Sequence, residues 1–136
     1  MAQPAALPAS AKQIELLVLD ADGVLTDGTI WIDDTGRQMR RYSVRDGLAI
    51  SAWRRLGLRI AILSGRRGAD LEARAKALGI EEIVQGVEDK GAALRQLLER
   101  LGVAPDRAAF LGDDVQDTPA MALVGLPMAV ADAERG

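Results

Sequence analysis

Short apolar runs alternate along the chain with longer segments in which apolar residues recur every third or fourth position. The runs predict buried strands and the longer segments predict amphipathic helices. Strands are expected at Ile14–Asp20, Leu58–Leu63, Glu82–Gln85, Arg107–Leu111 and Leu126–Ala131. Helices are expected at Gly47–Leu56, after a possible Asp46 N-cap, and at Ala69–Leu78, Asp89–Leu101 and Thr118–Val124. Leu71, Ala75 and Leu78 lie on one face of the second helix, and Leu94, Leu97, Leu98 and Leu101 form one stripe on the third. Gly79 and Gly102 close these two helices. Repeated strand–helix pairs predict an α/β fold, a doubly wound parallel sheet with right-handed crossovers.

One segment breaks the alternation. Thr29–Ile32 and Gln38–Tyr42 flank Asp33-Asp34-Thr35-Gly36, so residues 29–42 read as a β-hairpin inserted after the first strand. A two-stranded ribbon is marginal alone in water. Trp31, with Ile30 or Ile32, would be partly exposed on it, which predicts packing against another subunit. The alternative is that the hairpin folds back on its own domain. Residues 1–13 are Ala/Pro-rich at their start and read as a flexible tail, leaving residues 14–136 as one domain.

Composition narrows the chemistry. The 136 residues suffice for one core, and 49% hydrophobic with 27% charged content is that of a soluble globular protein. There is no cysteine and no histidine, which removes disulfides, thiolate catalysis, Ser-His-Asp chemistry and the usual zinc sites. Oxygen ligands favour a hard cation such as Mg²⁺. The net charge of −3 and the absence of a basic stripe argue against a nucleic-acid partner. No apolar run approaches the about 20 residues of a membrane helix, and no signal-peptide pattern is seen. These features predict a cytoplasmic protein.

The richest stretch is Asp20-Ala21-Asp22-Gly23-Val24-Leu25-Thr26-Asp27-Gly28, entered from Leu16-Leu17-Val18-Leu19. Two carboxylates at the C-terminal end of a buried strand stand where open α/β sheets bind ligands. Strand alternation predicts that Asp20 and Asp22 point the same way. Like charges held close imply a metal or a shared proton. Later strand ends add Ser64-Gly65-Arg66, then Lys90 after Gly86 and Asp89, then Gly112-Asp113-Asp114 with Asp117. Lys90 at a helix start opposes the helix dipole, which favours a functional role over a structural one. Asp117 is also a possible cap for the Thr118 helix, Ser64-Gly65 a possible plain turn, and Arg66 a possible surface ion pair.

The set suits phosphoryl transfer. Mg²⁺ between the acidic pairs would neutralise a phosphate. Ser64 would bind phosphate oxygens and Lys90 balance their charge. Asp20 would attack phosphorus, and Asp22 would protonate the leaving oxygen and later deprotonate water.

In this order and spacing, the DxDG stretch, Tyr42-Ser43-Val44-Arg45-Asp46-Gly47, Ser64-Gly65-Arg66, Arg74-Ala75-Lys76-Ala77-Leu78-Gly79-Ile80, Gln85-Gly86 with Asp89-Lys90, and Gly112-Asp113-Asp114-Val115-Gln116-Asp117 resemble the haloacid dehalogenase superfamily. Within it they resemble the 3-deoxy-D-manno-octulosonate (KDO) 8-phosphate phosphatases. The resemblance runs from about Ile14 to the end. It implies Asp20 as nucleophile and Mg²⁺ ligand, Asp22 as acid/base and ligand through its main-chain carbonyl, and Asp113 as third ligand. It assigns Ser64, Gly65 and Lys90 to phosphate binding, and Asp114 and Asp117 to support of the metal site. Arg66 and Arg45 would meet the sugar acid's carboxylate. The resemblance further implies no large cap domain and a homotetramer joined through the hairpins. Relatives continue past Ala131-Asp132-Ala133 with a further helix and a glycine-rich tail, which this sequence, ending at Gly136, does not include.

Three readings compete with KDO 8-phosphate hydrolysis. They are action on a nine-carbon, sialic-type sugar-acid phosphate, a non-catalytic oligomerisation domain, and a phospho-receiver domain. The last is disfavoured because the second strand ends in Ser64 rather than an aspartate.

Overall fold

In the computed structural model, which describes residues 6–135, five parallel strands form the central sheet. They are β1 (Leu16–Leu19), β4 (Arg59–Leu63), β5 (Glu82–Val84), β6 (Ala108–Gly112) and β7 (Leu126–Ala129), in the spatial order β5-β4-β1-β6-β7. Register runs Leu16 beside Arg59 on one side and beside Ala108 on the other. The chain therefore winds outward from β1 through β4 to β5, then returns to the other side of β1 for β6 and β7. That reversal puts the switch point of the sheet between β1 and β6.

Alternation along β1 divides the core. Leu16 and Val18 join Ala61, Leu63 and Phe110 under helices α3 (Lys90–Leu101) and α4 (Thr118–Met121). Leu19 joins Ile60 and Ile62 under α1 (Val44–Arg55) and α2 (Ala69–Leu78). The stripe on α3 explains its placement, since Leu94, Leu97 and Leu98 are all buried. Each such leucine contributes about 2 kcal/mol of burial free energy. Gly79 and Gly102 end α2 and α3 in the left-handed conformation, as expected for glycine after a last helical turn.

Boundaries differ from the sequence reading where polar side chains bond to backbone. Helix α1 starts at Val44, because Ser43 is its N-cap and accepts from the Asp46 amide at 3.4 Å. Asp46 is thus in the first turn rather than the cap. The turn is exposed at Val44 and Arg45, so no apolar periodicity marks it. Helix α4 ends at Met121, with a separate 3-10 turn over Val115–Asp117 before it. Strand β1 is shorter than expected, from Leu16 to Leu19. Within the segment expected to be a tail, Ala9–Gln13 forms a 3-10 turn. Residues 1–5 of that segment lie outside the described residues.

The hairpin forms as β2 (Trp31–Ile32) and β3 (Gln38–Met39), with Trp31 opposite Met39 and Ile32 opposite Gln38. A bridge between Thr26 and Tyr42 closes its base. Asp33 organises the turn, accepting from the Thr35 and Arg37 amides at 2.9 Å each. Trp31 and Ile32 are each 64% exposed and Met39 is 66% exposed. The ribbon thus stands away from the core it was inserted into.

Candidate active site

The C-terminal ends of β1 and β6 bring Asp20 and Asp113 together across the switch point. Oxygens of Asp20, Asp113 and Asp117 all lie within 4.8 Å of one another. Lys90 enters from the start of α3, with Nζ 3.1 Å from Asp20 and 2.5 Å from Asp117. Asp20, Lys90 and Asp117 are buried. A lysine at the first position of a helix opposes the helix dipole, and its two buried carboxylate partners explain why it is there.

The backbone holds this cluster tightly. The β1 chain turns away at Gly23, whose φ of +82° suits glycine alone. A Cβ at that position would overlap the Asp113 carboxylate. Asp117 is fully committed: one oxygen takes the amides of Asp113 and Asp114 at 2.9 and 3.2 Å, and the other takes Lys90. Asp117 therefore shapes the Gly112–Asp114 loop, and Asp20 and Asp113 are left to face a ligand. Asp114 is exposed and caps the 3-10 turn, standing outside the cluster.

Burial, more than charge crowding, sets the titration behaviour. Burial, reinforced by the Asp117 charge and opposed by Lys90, pushes Asp20 up to about 7. Burial, with Asp117 and Asp114 nearby, raises Asp113 as well. Burial works against the Lys90 charge, but its bonds to Asp117 and Asp20 outweigh that and raise it. A carboxyl held above its ordinary value keeps its proton in the folded state while the unfolded chain has lost it. The contribution of Asp20 to stability is therefore present near pH 4 and lost as pH rises towards 7. Asp20→Asn is expected to melt higher than the parent without metal, by a margin that widens from pH 4.5 to 7.5. Parallel thermal melts measure it; a constant margin would contradict the assignment.

Asp22 does not share this cluster. Strand β1 ends at Leu19, so the two-residue alternation does not carry through the turn. The Asp22 carboxylate instead accepts from Arg66 Nε at 2.6 Å and lies 3.2 Å from Arg40 Nε. Arg66 also donates two hydrogen bonds to Asp70, each 3.0 Å, and one to the Tyr42 hydroxyl at 3.3 Å. Tyr42 donates in turn to Asp70 at 2.7 Å. Burial and the Asp70 bond push the Tyr42 phenol up to about 12. Burial would raise Asp70, but Arg66 and Tyr42 outweigh it and hold the carboxyl below its ordinary value.

Ser64 is buried at the end of β4, its hydroxyl accepting from the Arg66 amide at 3.3 Å. Gly65 follows it, with room for a Cβ only at van der Waals distance from the Val87 carbonyl. Arg45 is exposed on the first turn of α1 and lines a depression with Thr26, Asp27, Arg41 and Tyr42. The sequence alone does not single out Arg40 or Asp70, and it places Tyr42 at the end of the hairpin. The Arg66–Asp70 spacing of one helical turn was the one available signal for Asp70.

Fold and site together are those of the haloacid dehalogenase superfamily, and a family profile described as haloacid dehalogenase-like hydrolase matches residues 37–125. The chain belongs to that family, in the branch of the 3-deoxy-D-manno-octulosonate 8-phosphate phosphatases. It is 43% identical over 125 residues to the enzyme of that name from Escherichia coli strain K12, spanning 92% of this chain and 66% of that protein. The chain thus spans just under two thirds of that relative's length. The 1.95 Å crystal structure of the Yersinia pestis phosphatase superposes with a TM-score of 0.89 at 43% identity, covering 92% of this chain and 68% of that one. The Moraxella catarrhalis phosphatase, crystallised with magnesium ion, phosphate ion and KDO, superposes with a TM-score of 0.89 at 37% identity, covering 93% of this chain and 72% of that one.

Proposed function

We propose that this protein is a Mg²⁺-dependent phosphatase that hydrolyses KDO 8-phosphate to KDO and phosphate. The observation that carries the reading is the pair of carboxylates, Asp20 and Asp113, held face to face at the switch point while Asp117 is occupied by Lys90 and two backbone amides. An all-oxygen donor set whose carboxyls are raised chiefly by burial, with neighbouring carboxylates adding to it, fits a hard divalent cation. Asp20, Asp113 and the main-chain carbonyl of Asp22 would hold it. Bound there, Mg²⁺ supplies positive charge to the transferring phosphoryl group.

The residues divide the remaining work. An Asp20 carboxylate oxygen attacks phosphorus, and the bond from phosphorus to the sugar oxygen breaks with its electron pair going to that oxygen. Asp22 supplies the proton that makes it a hydroxyl. Water then attacks the phosphorus of the aspartyl phosphate, Asp22 takes a proton from it, and phosphate leaves with Asp20 restored. The Ser64 hydroxyl and the Gly65 backbone bind phosphate oxygens, and Lys90 balances charge at the nucleophile. Arg45, exposed on the first turn of α1, meets the sugar acid's carboxylate, whereas Arg66, expected to do the same, is committed to Asp22, Asp70 and Tyr42. A cytoplasmic location accompanies this reading, because the substrate is a charged, soluble sugar phosphate. Among the described residues no helix is long and apolar enough to cross a membrane.

Phosphate release with Mg²⁺ tests the reading, with KDO 8-phosphate set beside a nine-carbon sialic-type 9-phosphate and an aryl phosphate. Preference for KDO 8-phosphate is expected. Preference for the nine-carbon acid would reassign the substrate, and no release from any would leave a non-catalytic domain.

The exposed ribbon supports a homotetramer built through the hairpins. Trp31, Ile32 and Met39 present apolar surface with no cover from their own core. Trp31→Asp is expected to lower the mass measured by light scattering while leaving the helical circular dichroism unchanged. A native mass that does not change would contradict the hairpin interface.

A further inference from the structure

We propose that Arg40 is a positioning residue for Asp22, reaching from the inserted hairpin to aim the acid/base carboxylate at the leaving group. The inference rests on the phosphatase reading above. Arg40 follows directly on β3, the returning strand of the hairpin. Most hairpin side chains point to solvent, yet the Arg40 side chain is only 8% exposed. Its Nε lies 3.2 Å from Asp22 Oδ1. Despite that approach, neither atom makes a hydrogen bond, and both are cut off from solvent. Buried polar atoms left without hydrogen bonds cost free energy and are rare. Here the charge attraction of the ion pair is what holds the two atoms together.

The two oxygens of Asp22 are thereby made unequal. Oδ2 is occupied by the short bond from Arg66 Nε. Oδ1 has charge beside it but no donor aligned on its lone pairs. Oδ1 is sealed from solvent beside Arg40 while the Asp22 side chain as a whole is 38% exposed, so Arg40 holds Oδ1 inward and thereby fixes the direction in which the rest of the carboxylate faces a leaving group. Without Arg40, Arg66 alone would hold Asp22, and the carboxylate would be free to rotate about that single contact. Arg66 is anchored to Asp70 and Tyr42 and has no freedom to follow.

A general acid matters most when the leaving oxygen is a poor leaving group. The test is kcat/KM for the full chain with Mg²⁺ across aryl phosphates from dinitrophenyl to phenyl, with Arg40→Met and Arg40→Lys beside the parent. These substrates carry no carboxylate, so a role for Arg40 in gripping the sugar acid is silent in the series. Arg40→Met is expected to lose less than about threefold on dinitrophenyl phosphate and about 10²-fold on phenyl phosphate, with Arg40→Lys recovering most of it. Equal losses across the series would overturn the proposal in favour of a structural role. A flat series with loss confined to KM for KDO 8-phosphate would overturn it in favour of a substrate contact. If Arg40→Met does not fold by circular dichroism, the same ratio read on Arg40→Gln decides. A parent that turns over no phosphate ester ends the phosphatase reading and this inference with it; an active parent with a flat Arg40→Met series ends this inference alone.

Discussion

Asp20→Asn is expected to reduce phosphate release by at least about 10³-fold while the protein remains folded. The magnitude follows from the role, since loss of a nucleophile removes the covalent route rather than weakening one contact. The amide keeps the shape of the carboxyl and can still meet Lys90, 3.1 Å away, through its carbonyl oxygen. Crowding among buried carboxylates falls, so stability should not suffer. Steady-state release of phosphate from KDO 8-phosphate, with melting temperature as the control, checks both halves. Retained turnover in a folded variant would remove Asp20 from the chemistry.

Lys90→Met should also be strongly damaging, for a different reason. The side chain is buried between Asp20 and Asp117, and both carboxylates lose their countercharge. Removing one partner from a buried ionic group costs about 3–5 kcal/mol. Urea unfolding of the metal-free protein should show a loss of that order, and Mg²⁺ should restore part of it by supplying the missing charge. Turnover should fall about 10²–10³-fold even where the variant is fully folded, because preorganised positive charge at the nucleophile is lost. A variant as stable as the parent without metal would show that Lys90 does not offset these carboxylates.

Much of this arrangement is legible in the sequence because it rests on local signals. The strands at the centre of the sheet are mainly apolar runs, and the helix ends at Gly79 and Gly102 follow from glycine's freedom to adopt positive φ. The gathering of strand ends at one edge follows from topology, which is why the sequence alone groups Asp20, Lys90, Asp113 and Asp117. What depended on side-chain direction was not legible. Alternation suggested that Asp20 and Asp22 share a face, but the strand stops at Leu19 and the turn at Gly23 sends Asp22 to Arg66 and Arg40. Arg40 had no signal of its own, since a basic residue on an exposed ribbon looks like solvent-facing charge. The start of α1 was misplaced because Ser43 caps it through a backbone amide, an interaction that leaves no hydrophobic trace. Spacing alone does not divide the work within Asp113-Asp114; the family resemblance makes Asp113 a ligand and Asp114 a support. Only the fold shows Asp114 capping a turn while Asp113 faces Asp20.

The stereochemical course at phosphorus tests the central claim most directly. Hydrolysis of an isotopically chiral phosphorothioate ester with Mg²⁺ would be followed by configuration analysis of the thiophosphate released. Two in-line displacements, first by Asp20 and then by water, require net retention at phosphorus. Net inversion would mean that water attacks the ester directly, and would contradict the assignment of Asp20 as the nucleophile.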